Sequence, residues 1–211
     1  MISQKIGQAC KWLLDLLVRL IASSAVHPNV LTALGFAINT WAAVLFANGR
    51  FFAAGLVVFL AGFFDLADGP VARAQGRVTE FGAFFDSVVD RYSDIILYMG
   101  LLVYYARGNR FFYVVLVAAV MGGSVMVSYT RARAESLIPH CRVGFLERPE
   151  RLVLIILGAL VDRMAAVLWV MAILSNVTVI HRCVYTWREM RGRGDPLQPG
   201  VVPPATSSAN R

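Results

Sequence analysis

Six apolar stretches separated by short turns fill residues 30–190 and leave this chain little choice of architecture. They run over 30–48, 51–73, about 79–105, 110–135, 149–161 and 164–190. The chain is 58% hydrophobic and 16% charged, with a mean hydropathy of +0.63. That is too apolar for an ordinary soluble domain and long enough for repeated bilayer crossings. Backbone in hydrocarbon must satisfy its own N–H and C=O groups, and without the alternation of a barrel strand that means helix. The predicted class is all-α integral membrane, with six transmembrane helices. Pro28-Asn29, Asn48-Gly49, Gly76, Arg107-Gly108-Asn109 and Asp162-Arg163 supply the stops and starts, and Ser136 to Leu146 reads as a loop.

The ends differ from the middle. In residues 1–25, Ile2, Ile6, Leu13, Leu17 and Leu20 fall on one helical face and Gln4, Gln8, Lys11, Asp15 and Arg19 on the other. This predicts an amphipathic helix in the membrane interface ahead of a six-helix transmembrane domain, residues 26–190. The alternative is an extension of the first span. Asp15 and Arg19 argue against a signal peptide. Residues 191–211, proline-bearing and poorly apolar, read as a disordered cytoplasmic tail. The formal charge is +7. Most of the 20 basic residues lie in the amino-terminal segment, the 73–77 turn, the 131–151 region and the tail. The opposite loops hold Arg50, Arg107, Arg110 and Arg163. With six spans, the positive-inside rule places both termini in the cytoplasm. Cys10, Cys141 and Cys183 form no CxxC, which argues against a disulfide framework and a zinc site.

Against this background stand four carboxylates. Asp65 and Asp68 are spaced i, i+3; Asp86 and Asp90 are spaced i, i+4, and Asp94 continues the step. On helices each pair falls on one face. Acids in such apolar sequence are costly and imply a site, here one that opens to the cytoplasm. Converging carboxylates form a hard oxygen site suited to Mg²⁺ or Mn²⁺. Four of them suit two ions, or one ion and a base, around a phosphate. Gly69 and Ala72, and later Gly82, leave room for a ligand against the helix backbone, and Arg73 can neutralise a diphosphate. The competing reading is structural: Arg73, Arg77 and Arg91 are available to pair with the acids, and small residues pack helices.

The pattern Asp65-x2-Asp68-Gly69-x2-Ala72-Arg73-x8-Gly82-x3-Asp86-x3-Asp90 resembles, without gap or substitution, the signature of the CDP-alcohol phosphotransferases. The resemblance covers about residues 1–190. It implies six membrane helices behind an interfacial helix, usually as a homodimer. It implies two divalent ions, Mg²⁺ or Mn²⁺, held by Asp65, Asp68, Asp86 and Asp90, with Asp90 as general base. It also implies a CDP site formed by Asp68, Gly69, Ala72, Arg73 and Gly82, bordered by Asn29 and Thr32. The expected partners are CDP-diacylglycerol, an alcohol acceptor and membrane lipids, with no nucleic acid.

A second, basic set speaks to the acceptor. Arg131 and Arg133 end one helix, Arg148 and Arg151 begin the next, and Arg182 lies late in the last. Guanidinium groups beside a helix start suit a phosphate, which inositol or serine alone does not need. Positive-inside topology is the plain alternative, and Glu135, Glu147 and Glu150 are available to pair with some of the arginines. The runs Ser128 to Glu135 and Gly144 to Leu152 resemble the phosphatidylinositol-phosphate synthase branch, apart from Arg131, where Lys is common. That resemblance implies transfer of a phosphatidyl group to inositol phosphate, giving phosphatidylinositol phosphate and CMP. Glycerol 3-phosphate is the rival acceptor. A membrane cation carrier is the rival of another class, although the acidic pair does not recur in a second half of the chain.

Overall fold

The computed structural model describes residues 28–192. The amphipathic segment expected at 1–25, and the tail from residue 193 on, lie outside the described residues. Within them are six helices: α1 Pro28–Ala47, α2 Phe51–Ala74, α3 Glu80–Arg107, α4 Phe111–Glu135, α5 Arg148–Leu160 and α6 Met164–Gly192. No strand occurs among the described residues. Four helices, α1, α2, α4 and α6, are each long and apolar enough to cross a bilayer, with mean hydropathy from 1.8 to 2.1 over their best stretches.

The helix ends follow turn chemistry. Gly49 and Gly76 take positive φ (73° and 64°), as do Asn109 and Asp162 (both 53°). Such backbone is natural for Gly and tolerated by Asn and Asp. Thr79 caps α3, its Oγ1 accepting from the Gly82 N–H at 3.0 Å. Pro149 stands in the first turn of α5, where its missing N–H costs nothing.

The helices close into a ring in the order α1, α2, α5, α6, α4, α3, each packed on the next. Leu97, Tyr98, Leu101, Val117, Val120, Leu168 and Met171 fill the middle and are essentially buried. Trp41, Phe52, Phe112, Trp169 and Ile180 point outward and are exposed, as expected of a surface that meets lipid. Close approach is bought by small residues. A Cβ on Gly100 of α3 would stand 2.8 Å from Ala43 Cα of α1, and one on Gly55 of α2 would stand 2.9 Å from Ala159 Cβ of α5. These contacts hold α2 and α3 against α1 and α5, so the acidic ends of α2 and α3 face one another.

Candidate active site

Two of the four acids, Asp65 and Asp90, are brought to one guanidinium. Asp65 on α2 and Asp90 on α3 are bridged by Arg148, the first residue of α5. Arg148 Nη2 donates to Asp65 Oδ2 at 2.8 Å, and its Nη1 lies 2.7 Å from Asp90 Oδ1. Its Nε lies 3.6 Å from Asp94 Oδ1. All three bridging side chains are sheltered, 14–20% exposed, and Asp94 is 4% exposed. Asp86 is near enough to act electrostatically on both Asp65 and Asp90. Asp68 falls on α2, three residues after Asp65; its side chain is outside the described residues. Gly35 of α1, outside the signature, makes room for Asp65: a Cβ there would stand 2.7 Å from Asp65 Oδ1.

Among the described residues no three acids, His or Cys stand together ready to hold an ion; the Arg148 guanidinium lies between Asp65 and Asp90. Its position is informative. Carboxylates from two helices already converge on one cation there, and their donors are hard oxygens, so the set fits Mg²⁺ or Mn²⁺ once the guanidinium yields. Arg73, Arg77 and Arg91 do not take this place. Arg91 instead donates to the Ser87 carbonyl and hydroxyl oxygens on its own helix.

Two cavities flank the acids. The first, about 370 Å³, is lined by Asn29, Thr32, Gly69, Ala72, Arg73 and Gly82, with Arg77, Thr79 and Asp86 among the others. Apart from Asp68, the whole CDP set read from the sequence thus faces one space. Its walls are the starts of α1 and α3 and the end of α2. A Cβ on Gly82 would stand 3.0 Å from Thr79 Oγ1 of its own cap and in ordinary contact, 3.5 Å, with Asn29 Oδ1 across the cavity. Thr32 Oγ1 donates back to the Pro28 carbonyl at 3.4 Å, which keeps the start of α1 wound.

The second cavity, about 210 Å³, is lined by Asp90, Arg131, Glu147, Arg148, Arg151 and Arg182, among others. Four of the five arginines expected for the acceptor come together here. The structure does not bring the fifth, Arg133, to the cavity; it is exposed and donates to Ser136 Oγ at 3.3 Å. Nor are the four equivalent. Arg151 and Arg182 are each 1% exposed. Arg151 donates to Asp94 Oδ2 at 2.8 Å and to the Leu146 carbonyl at 3.3 Å; Ser124 also donates to Asp94, at 3.1 Å. Arg182 donates to the carbonyls of Val143 (2.8 Å) and Val127 (2.5 Å) and to Glu147. Arg182 braces the 136–147 loop against α4 and α6, and Arg151 ties the end of that loop to α5 and α3. Gly144 in that loop has φ +134°, and a Cβ would stand 2.6 Å from Thr178 Cγ2, so only Gly lets the loop lie so close to α6.

Asp94 is a site residue that sequence reading left without a role; it continues the i, i+4 step but lies beyond the signature. Glu147, read only as one of three acids available to the arginines, pairs with Arg131 and Arg182.

The chain is similar in sequence and fold to known proteins. The model of the CDP-alcohol phosphatidyltransferase family matches residues 25–187. The chain belongs to that family. The phosphatidyltransferases it resembles include the archaetidylinositol phosphate synthase of Methanothermobacter thermautotrophicus, 37% identical over 79% of this chain and 86% of that one. A crystal structure of the Mycobacterium tuberculosis phosphatidylinositol phosphate synthase with CDP-DAG bound superposes with a TM-score of 0.79 at 30% identity, covering 90% of this chain and 98% of that one. The same mycobacterial enzyme in complex with manganese and citrate superposes at 0.74 with 32% identity, over 82% and 88% of the two chains. Membership makes this phosphatidyltransferase an enzyme of phospholipid biosynthesis and an integral membrane protein.

Proposed function

We propose that the protein transfers a phosphatidyl group from CDP-diacylglycerol to inositol phosphate, releasing CMP. One observation carries this reading. The acid cluster separates two cavities, one lined by the CDP signature and one by guanidinium groups. Asp86 lines the first cavity and Asp90, one helical turn on, lines the second. A donor held on one side and an anionic acceptor on the other would meet at the carboxylates. The names of the relatives agree on inositol phosphate and differ in the lipid, archaetidyl in one and phosphatidyl in the other.

In the proposed reaction the donor diphosphate lies against Gly69, Ala72, Gly82 and Arg73. Asp65, Asp68, Asp86 and Asp90 would hold two divalent ions, which neutralise the diphosphate and the departing CMP. The acceptor phosphate is held by Arg131 and Arg182, with Arg148 beside them in the wall of the same cavity. Asp90 takes the proton from the acceptor hydroxyl, and that oxygen attacks the lipid-bearing phosphorus. The bond to CMP breaks, and CMP leaves with the electron pair. For this Asp90 must first part from Arg148. Homodimerisation remains part of the proposal.

We also propose that all six helices span, with both termini and the acids at the cytoplasmic side. The support is positional. The acids, Arg131, Arg133, Arg148, Arg151 and the late turns of α6 share one end of the ring, while Arg50, Arg107, Arg110 and Arg163 occupy the other.

The test compares acceptors. Purified enzyme with CDP-diacylglycerol and Mg²⁺ should release CMP with inositol phosphate, and at least ~10-fold more slowly with free inositol, which lacks a charged contact worth at least about 1.5 kcal/mol; glycerol 3-phosphate, which keeps the phosphate, is the rival acceptor to run beside them. Preference for free inositol would defeat the assignment of the arginine cavity. Metal-dependent ion flux without CMP release would favour a carrier.

A further inference from the structure

The two residues that open α5 each bond with groups that the proposed reaction needs elsewhere. Glu147 Oε1 accepts from Arg131 Nη1 at 3.0 Å and from Arg182 Nη2 at 3.0 Å. One carboxylate oxygen thus bridges two guanidinium groups of the second cavity, as an oxygen of a phosphomonoester would. Its neighbour Arg148 bridges Asp65 and Asp90 at 2.8 and 2.7 Å, as a cation would. Glu147 lines the same cavity as these partners and is the only acid there apart from Asp90 and Asp94. It stands at the cap position of α5 yet makes no capping bond, because its side chain is turned to the arginines.

We propose that Glu147 and Arg148 are built-in counter-charges for the anion and the divalent cation, and that displacing one favours displacing the other. This deepens the transferase reading and rests on it. The nearly buried Arg182 on one side, and the sheltered Asp65 and Asp90 on the other, would be costly to leave without counter-charges, and Glu147 and Arg148 supply one to each side; the more exposed Arg131 also has Glu135 at 3.2 Å. An anion that takes Arg131 and Arg182 frees Glu147. The freed carboxylate then offers Arg148, its sequence neighbour, a partner in place of Asp65 and Asp90. The acids are released for the ion, and by reciprocity the ion eases entry of the anion. A neutral polyol brings no charge to exchange for Glu147. Glu147 is therefore a specificity-determining position that favours phosphorylated acceptors.

The test is binding of Mn²⁺ and inorganic phosphate to the intact protein in detergent. Mn²⁺ is followed by loss of its free paramagnetic resonance signal, and phosphate by calorimetry. In the natural protein, saturating phosphate should tighten Mn²⁺ binding by about tenfold, within the usual range of coupling between sites. In Glu147→Gln, phosphate alone should bind about tenfold more tightly, and its effect on Mn²⁺ should shrink to less than about threefold. A direct contact between ion and phosphate would survive that substitution, so undiminished coupling in Glu147→Gln would overturn the proposal. Arg148→Lys keeps the charge but loses the fork that spans two carboxylates. It should bind Mn²⁺ alone several-fold more tightly, and it stands in if Glu147→Gln does not fold. A natural protein that binds no Mn²⁺ at all would remove the transferase reading along with this one. Mn²⁺ bound normally, with both variants indistinguishable from the natural protein, would remove only the counter-charges.

Discussion

Asp90 lies in a ring of charges that pull in opposite directions. Arg148 holds it at 2.7 Å, while Asp65, Asp86 and Asp94 repel its charged form. Asp94 is itself committed below, to Arg151 and Ser124, so it cannot relieve Asp90 of the guanidinium. A carboxylate that lines the acceptor cavity and faces a movable cation is well placed to take a proton. Asn keeps the shape and one acceptor oxygen but cannot take that proton. Asp90→Asn should therefore lower CMP release at least ~10²-fold, the smaller end of what a positioned base contributes, while size-exclusion behaviour and thermal unfolding stay near those of the natural protein. Activity within a few-fold of normal would exclude Asp90 as the base.

At the scale of elements, the site depends on how closely three helices approach. Gly100 of α3 lies against the Ala43 backbone of α1, with no room for a side chain. Backbone cannot give way as the end of a flexible chain can, so Gly100→Leu should force α1 and α3 apart. The expected cost is about 3 kcal/mol, at the upper end for overpacking, read as a fall in thermal unfolding temperature in detergent. Gly122 of α4 has nothing within 4 Å of an added Cβ, and the same substitution there should leave that temperature nearly unchanged. Unfolding of the Gly100 variant at the natural temperature would show that this contact does not hold the helices together. These contacts also show what the sequence could and could not disclose. The ends of α1 to α6 were legible because Gly49, Gly76, Thr79, Asn109 and Asp162 have local conformational preferences. The convergence of the acids was legible because i, i+3 and i, i+4 spacing fixes a helical face. The partner of Asp65 was not, because Arg148 lies 83 residues away and is brought there by the packing of α2 on α5. Gly35 carries no pattern either; its role exists only because α1 passes beside Asp65.

For the whole molecule, the proposed orientation rests on charge asymmetry. The end that carries the acids also carries the 136–147 loop and the basic starts and ends of four helices, whereas the other end has turns of a few residues and four arginines. Two helices could weaken a six-span reading. α5 has only 13 residues, about 20 Å of helix against a hydrocarbon thickness of about 30 Å. α3 has 28 residues but brings its acids into the ring. Both objections fade if the acidic end is a water-filled mouth, since α5 then starts below the membrane surface and α3 meets lipid mainly along its apolar half. That arrangement predicts opposite accessibility for two exposed positions. In a background lacking Cys10, Cys141 and Cys183, His140→Cys in the 136–147 loop should react with an impermeant maleimide only after the membrane is opened. Gly108→Cys in the turn between α3 and α4 should react in intact cells. The reverse pattern would turn the molecule over and put its acids, and the proposed chemistry, on the side where neither CDP-lipid nor inositol phosphate is expected.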